Sequence, residues 1–410
     1  MNPWLIAVLA FLVLNFALDL IGDLLNLSRL TPVLPGEFKG SYDPERYARS
    51  QHYLRENTSF GIVQSAVMFI LTLGFLLLGG FNAADVFSRS LGLGPIPTGL
   101  VYCGVLFVIV FFLGIPWSAW HTFRIEEKYG FNRMTGKTFA LDKVKGFLLT
   151  LVIGGLLLSV VLWFFGSAGR FAWFWAWLAF MAFQFIAVFL APVLIMPLFN
   201  KFTPLPDGEL KTAIAGYAAS QKFRMKGVFT MDASKRSAKT NAFFTGLGKS
   251  RRIVLFDTLI QKLSVPEIVA VLAHETGHYK KGHIVRTLLF AAVESFLMFF
   301  LLSLLIGNKG LFEAFGMERT SVYASLVFFG FLYTPVSLVL KIAGNALSRA
   351  HETEADAFAG RTTGRPEDLV SGLKKLSVDN MSNLTPHPLK VVLEYGHPPV
   401  LERIRNLGRK

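Results

Sequence analysis

The chain has 410 residues, 53% hydrophobic and 14% aromatic, with a mean hydropathy of +0.49. That is too apolar for an ordinary soluble domain and points to a membrane protein. A net charge of +14 could suit nucleic acid, but the basic residues alternate with long apolar runs, so no nucleic-acid partner is expected.

Seven apolar stretches are long enough to cross a bilayer, which takes about 20 residues of helix. They run approximately Trp4–Ile21, Phe60–Phe81, Gly99–Trp117, Phe147–Phe165, Phe171–Leu198, Thr287–Ile306 and Val322–Ile342. The first lacks a basic leader and a small-x-small cleavage site, so it reads as a retained span rather than a signal peptide. Trp4, Trp117, Trp163 and Trp173 fall near span ends, as interfacial anchors do. The lone cysteine, Cys103, lies in the third span and can form neither an intrachain disulfide nor a cysteine-type zinc site. The loops after the first, third and fifth spans and the C-terminal tail are basic, while the intervening loops carry few Lys or Arg. This alternation predicts an outside N-terminus, a cytoplasmic C-terminus and anionic lipid at the basic face. It also puts the fifth loop and the tail on one side.

Within the fifth loop, Asn241-Ala242-Phe243 reads as a strand, with Ile253–Phe256 as its neighbour. An edge strand there could hold an extended peptide through the backbone of Asn241 and Ala242, or serve structure alone. Gly246-Leu247-Gly248-Lys249-Ser250 ends like a phosphate loop but lacks the upstream glycine. Next comes a helix start. Ser264 and Glu267 have capping-box spacing, and Pro266 sits in the first turn.

That helix carries His274-Glu275-Thr276-Gly277-His278. Residues four apart share a helix face, so His274 and His278 can aim two imidazoles at one Zn²⁺. Glu275 would then stand beside the metal to take a proton from water. Gly277 is either a tolerated weak point or the site of a close helix approach. His283 reads as a membrane-edge residue. Glu294, in the middle of the sixth span, should face protein or water rather than lipid.

A third ligand is sought on the same side. After the seventh span, Ser348–Gly360 reads as a helix in which Glu352 and Asp356 share a face. Glu352 can ligate the metal and Asp356 can accept the outer N–H of a ligating histidine. His351 and Glu354 are expected to point elsewhere. The alternative is an ordinary acidic, solvated face.

The pairing of H-E-x-x-H with the later S-R-x-x-E-x-x-A-D-A-F-A resembles the type 1 CaaX prenyl protease family. Its members are integral-membrane zinc metalloproteases that cleave farnesylated peptides. Glu126–Asn132, Pro197–Phe202, Asp232–Ser237, Thr240–Phe244 and Tyr395–Pro399 with Glu402-Arg403 resemble further family segments. The resemblance implies Glu352 as third zinc ligand, with Asp356 supporting the site. It also implies that His397 steadies the oxyanion. Arg403 reads as a second donor near the site, or as an anchor of the tail alone. His387, in a similar Pro-rich setting, ranks lower. The resemblance further implies seven helices around a water-filled chamber, which Glu294 could face.

The expected fold is an all-α membrane protein of seven transmembrane helices enclosing a chamber, with a small α+β zinc-metalloprotease domain on the cytoplasmic face. Residues 1–198 form the first five spans, 199–286 the catalytic loop domain, 287–342 the last two spans, and 343–410 the tail completing the site. The expected activity is zinc-dependent peptide-bond hydrolysis with one Zn²⁺ per chain. The catalytic residues are Glu275 and His397, the metal ligands His274, His278 and Glu352, and the substrate-binding residues Asn241, Ala242 and Arg403. The expected substrate is a peptide or protein, prenylated if the resemblance extends that far, and the chain is read as a monomer. The membrane would be a bacterial inner membrane, or the endoplasmic reticulum in a eukaryote. The rivals are a quality-control protease of the heat-shock type, and a transporter or lipid-binding scaffold with structural zinc.

Overall fold

A computed structural model describes residues 2–223, 225–245 and 252–408; the Gly246–Ser250 segment lies outside them. Seven helices are long and apolar enough to span a membrane: Pro3–Ser28, Pro44–Leu77, Pro95–Glu126, Gly136–Ser167, Gly169–Phe199, His283–Leu305 and Val322–Thr363. Local signals start several of them. Pro3 and Pro44 occupy first turns, where the missing N–H costs little, and the Asn2 and Asp43 side chains accept from backbone amides of those turns. In the fifth span, Pro192 removes one amide donor, and the helix widens into a π turn over Ala191–Ile195.

Each helix reaches beyond its apolar stretch at one end or both, and two differences from the sequence reading have a local cause. The second span stops at Leu77 instead of Phe81, because Gly79 turns the backbone to φ +77° and a short helix, Gly80–Ser90, follows. Phe81 instead packs edge-on against Phe75, Phe315 and Phe328. The second difference matters more. The seventh span and the expected separate helix ending at Gly360 are one helix of 42 residues, Val322–Thr363, closed by Gly364 at φ +65°. Polar residues such as Lys341 and Asn345 mark where the chain leaves the apolar layer, but nothing there breaks the backbone ladder.

No apolar window of a span has more than 17% of its residues buried, and the fifth has none. Helices of a solid bundle would bury their inner faces against one another. These instead ring an open interior, and Glu294 is half-buried at mid-span.

The loops sort onto two faces. Phe38, Tyr42 and Tyr47 of the first loop and second helix pack against Val378, Leu384, Leu401 and Ile404 of the tail. Tyr53, Ile125, Tyr129 and Phe131 pack with Met381. Glu126 accepts from the Tyr53 hydroxyl at 2.6 Å and pairs with Lys239 of the fifth loop at 3.1 Å. At the opposite face Asn2 donates to the Gly310 carbonyl at 2.7 Å, and Asp85 binds both Arg89 and Tyr323. Basic loops and tail therefore share one face, as their charge implied.

The fifth loop builds a four-stranded sheet from β1 (Phe202–Pro204), β2 (Gly227–Met231), β3 (Ala242–Thr245) and β4 (Arg252–Phe256), in the order β1-β2-β4-β3. β2 and β4 are parallel and both outer pairings are antiparallel, with Ala242 opposite Leu255. Val228, Ile253 and Leu255 pack with Ile268, Leu272 and Ala273, and this core continues to Ala359, Leu369 and Leu373. One apolar core thus joins the sheet, the helix Val265–Lys280 and the C-terminal end of the longest helix.

Candidate metal centre

The motif helix runs Val265–Lys280 and opens with the expected capping box. Glu267 closes it by accepting from the Ser264 amide at 2.7 Å. The same carboxylate accepts from Ser371 at 2.6 Å and Lys375 at 2.8 Å, fastening the motif helix to the helix Pro366–Asp379. On the other side the motif helix meets the 42-residue helix at Gly277. A Cβ there would lie 3.0 Å from Ala355 Cα and 3.2 Å from both the Ala355 carbonyl oxygen and Phe358 Cβ. The glycine is therefore the point of close approach, and the reading as a tolerated weak point falls away.

That approach brings the three expected ligands together. One donor atom from each of His274, His278 and Glu352 lies within 4.8 Å of the others. The two Nε2 atoms are 3.1 Å apart, His278 Nε2 is 3.2 Å from Glu352 Oε1, and His274 Nε2 is 3.3 Å from Glu352 Oε2. A tetrahedral zinc about 2.0–2.1 Å from its ligands would separate them by roughly 3.3 Å.

The chemistry of the donors fits as well. His274 Nδ1 lies 2.8 Å from Asp356 Oδ1. A carboxylate only accepts, so Nδ1 carries the proton and Nε2 presents a lone pair to the centre. Glu352 Oε2 is buried without a hydrogen-bond partner among the described residues. Two acceptors facing each other in a buried pocket form an arrangement that could hold a cation. Burial opposes charge on His274, but the carboxylates of Asp356 and Glu352 outweigh that and raise its pKa to about 9; a cation entering the site would displace the second proton and take the Nε2 lone pair. A more basic imidazole is a better metal donor.

Glu275, next to this cluster, lines a cavity of about 420 Å³ with His278, Phe243, His283, Ser348 and His351. Burial pushes its carboxyl above the usual range, against the pull of the His274 and His278 imidazoles. A carboxylate so raised is a better proton acceptor. His397 is largely exposed, with Nε2 3.3 Å from Glu352 Oε1.

Several expectations are refined. Arg403 commits Nε and one terminal nitrogen to Asp356 at 2.8 and 2.7 Å, and its other nitrogen reaches Glu352 at 3.5 Å. β3 is an edge strand flanking the cavity, as expected. The Asn241 carbonyl, however, already accepts from the Phe256 amide, and the Asn241 side chain accepts from the Ala242 amide at 2.8 Å. By the alternation of an antiparallel ladder, the outward-facing backbone groups belong to Ala242. His387 caps the short helix Pro388–Glu394, and its own amide donates to Asn26 of the first span.

His283, read as a membrane-edge residue, opens the sixth span and packs against the motif helix. It is 3% exposed, with Nδ1 3.0 Å from His278 Nδ1 and Nε2 3.1 Å from Glu354 Oε2. His351 stacks on it, ring centroids 4.1 Å apart. The only sequence signal for this was Gly282, whose left-handed turn (φ +71°) folds the start of the sixth span back onto the motif helix.

Comparison with known proteins is consistent along the whole chain. Residues 23–201 match the family described as CAAX prenyl protease N-terminal, five membrane helices, and residues 204–410 match peptidase family M48. The mouse CAAX prenyl protease 1 homolog is 33% identical over 93% of this chain and 90% of its own. CAAX prenyl protease 1 of Saccharomyces cerevisiae is 32% identical over 99% and 95%. The crystal structure of S. mikatae Ste24p superposes with a TM-score of 0.95 at 31% identity, covering 99% of each chain.

Proposed function

This chain belongs to peptidase family M48 and is a membrane zinc metalloprotease; from that premise we propose that it hydrolyses prenylated CAAX-type peptides at the His274–His278–Glu352 centre. The observation that carries this is the convergence of those three donor atoms within 4.8 Å, with Glu275 alongside. The substrate class follows the relatives, which are CAAX prenyl proteases by name.

His274, His278 and Glu352 would hold one Zn²⁺ per chain. When bound, zinc supplies a Lewis acid that makes water more acidic and polarises a carbonyl. The substrate lies extended along β3, with the Ala242 backbone as its partner and Asn241 swinging off the Ala242 amide to admit it. Glu275 takes the proton of the attacking water and delivers it to the departing amine. As negative charge develops on the carbonyl oxygen, His397 donates a hydrogen bond to it. Arg403 holds Asp356, and Asp356 holds the His274 ring in its ligating tautomer.

The domain division at 198, 286 and 342 follows this assignment: spans on either side of a catalytic loop, and a tail that completes the centre. The basic face of loops and tail is cytoplasmic, with the N-terminus outside, and the chain acts as a monomer in contact with anionic lipid. The membrane is a bacterial inner membrane or the endoplasmic reticulum.

The test is cleavage of a farnesylated peptide against its unmodified twin by purified protein, with and without chelator. Preferred cleavage of the farnesylated peptide, abolished by chelation and restored by zinc, is expected. Equal cleavage of both peptides would replace the substrate with unmodified membrane protein, and activity after complete metal removal would refute the mechanism.

A further inference from the structure

We infer that His283 and Glu354 form a relay that fixes the tautomer of His278, making His283 a positioning residue of the metal centre. The inference rests on the metal-site reading above.

Each ligating imidazole must present a lone pair at Nε2, so each needs an acceptor for the proton on Nδ1. For His274 that acceptor is Asp356. For His278, no carboxylate among the described residues faces Nδ1; the group 3.0 Å away is Nδ1 of His283. Two imidazole nitrogens at that distance share one proton, and the far end of His283 decides which carries it. Its Nε2 lies 3.1 Å from Glu354 Oε2. Glu354 can only accept, so His283 Nε2 is the donor. In the neutral ring Nδ1 is then an acceptor. The shared proton belongs to His278 Nδ1, and His278 Nε2 is left free to face His274 and Glu352.

The surroundings hold His283 in this role. Its ring is 3% exposed and lies flat on His351, with 8° between the planes. Gly282 (φ +71°) makes the turn that sets it against the motif helix. Arg286 also approaches Glu354, at 3.4 Å, so the carboxylate's charge is already shared with a cation. The two ligands are thus supported differently: His274 by a buried carboxylate directly, and His278 by a half-exposed carboxylate through an intervening ring.

The experiment measures zinc affinity of the purified full-length chain by competition with a chromophoric chelator, so the readout is metal binding and not turnover. His283→Leu removes the acceptor, and loss of such a partner typically weakens metal binding roughly 10–100-fold. His283→Asn keeps an oxygen near the position of Nδ1 and is expected to recover most of that loss. Glu354→Ala, at a side chain 42% exposed, leaves the core intact and frees His283 to adopt either tautomer. A smaller weakening, roughly three- to tenfold, is expected there. Unchanged affinity in Glu354→Ala and His283→Leu would overturn the relay. So would equal losses in His283→Leu and His283→Asn, which would assign the effect to packing. A parent chain that binds no zinc would refute the metal-site reading itself, a result distinct from either.

Discussion

Replacing Gly277 by alanine sets two effects against each other. Alanine is the better helix former by about 1 kcal/mol. The new Cβ, however, would sit 3.0 Å from Ala355 Cα and 3.2 Å from the Ala355 carbonyl oxygen, where ordinary contacts run 3.4–4 Å. Both neighbours are backbone of a 42-residue helix and cannot rotate away. The helices must separate by a few tenths of an ångström. Overpacking of this kind costs about 1–3 kcal/mol, so the net change in stability is a loss of up to about 2 kcal/mol.

The larger effect falls on the metal. Ala355 lies between Glu352 and Asp356, so any separation is passed directly to the ligand distances of 3.2 and 3.3 Å. Metal sites tolerate about ±0.2 Å. Zinc affinity should fall about tenfold or more, equivalent to about 1.4 kcal/mol. Gly372→Ala is the control, because its Cβ would meet Glu267 and Val271 at an ordinary 3.8 Å. The assays are chelator competition for zinc and thermal unfolding of the metal-free chain. A Gly277→Ala variant that is more stable than the parent and binds zinc equally well would refute the reasoning.

Glu275→Gln should retain zinc by elemental analysis and lose activity by about 10²–10⁴-fold, since an amide accepts no proton; near-normal turnover would exclude Glu275 as the base. Glu267→Gln should cost about 1.5–3 kcal/mol at pH 7. Burial raises the Glu267 carboxyl, but its bonds to Lys375, Ser371 and Ser264 outweigh that and leave it below the usual range. A depressed carboxylate stabilises above its unfolded pKa of about 4.3, and that contribution is lost as pH falls through the folded value. The difference in Tm between parent and variant should therefore be full at neutral pH and vanish in acid; a gap that persists there would disprove the linkage. A C-terminal reporter that works only in the cytoplasm should be active, and activity only from the opposite side would reverse the topology.

The parts of this molecule that were legible in its sequence depend on short-range chemistry. The capping box, the four-residue spacing of His274 and His278, and the apolar runs each declare themselves within one or a few turns. Glu352 was legible because two spans return the chain to the side it left. What escaped depends on contacts between distant segments. Gly277 has the same local cost whether or not Ala355 lies against it. His283 looks like any residue at a membrane edge until the turn at Gly282 places it on His278. Arg403 could not be assigned to Asp356 from a C-terminal Glu-Arg pair. The unbroken passage of the seventh span into the Glu352 helix was missed for another reason. Hydropathy reports where a helix leaves the bilayer, not where its hydrogen bonds end.

The order in which the centre's parts occur along the chain has a consequence for biogenesis. His274, Glu275 and His278 are synthesised before the last two spans, while Glu352, Asp356, His397 and Arg403 all follow. A growing chain therefore carries a nucleophile-activating base long before it has a third donor, and the pocket cannot close until the final hairpin is inserted and the tail has folded back over it. On the proposed assignment of Glu352 as the third ligand, a chain at that stage would lack a complete metal site.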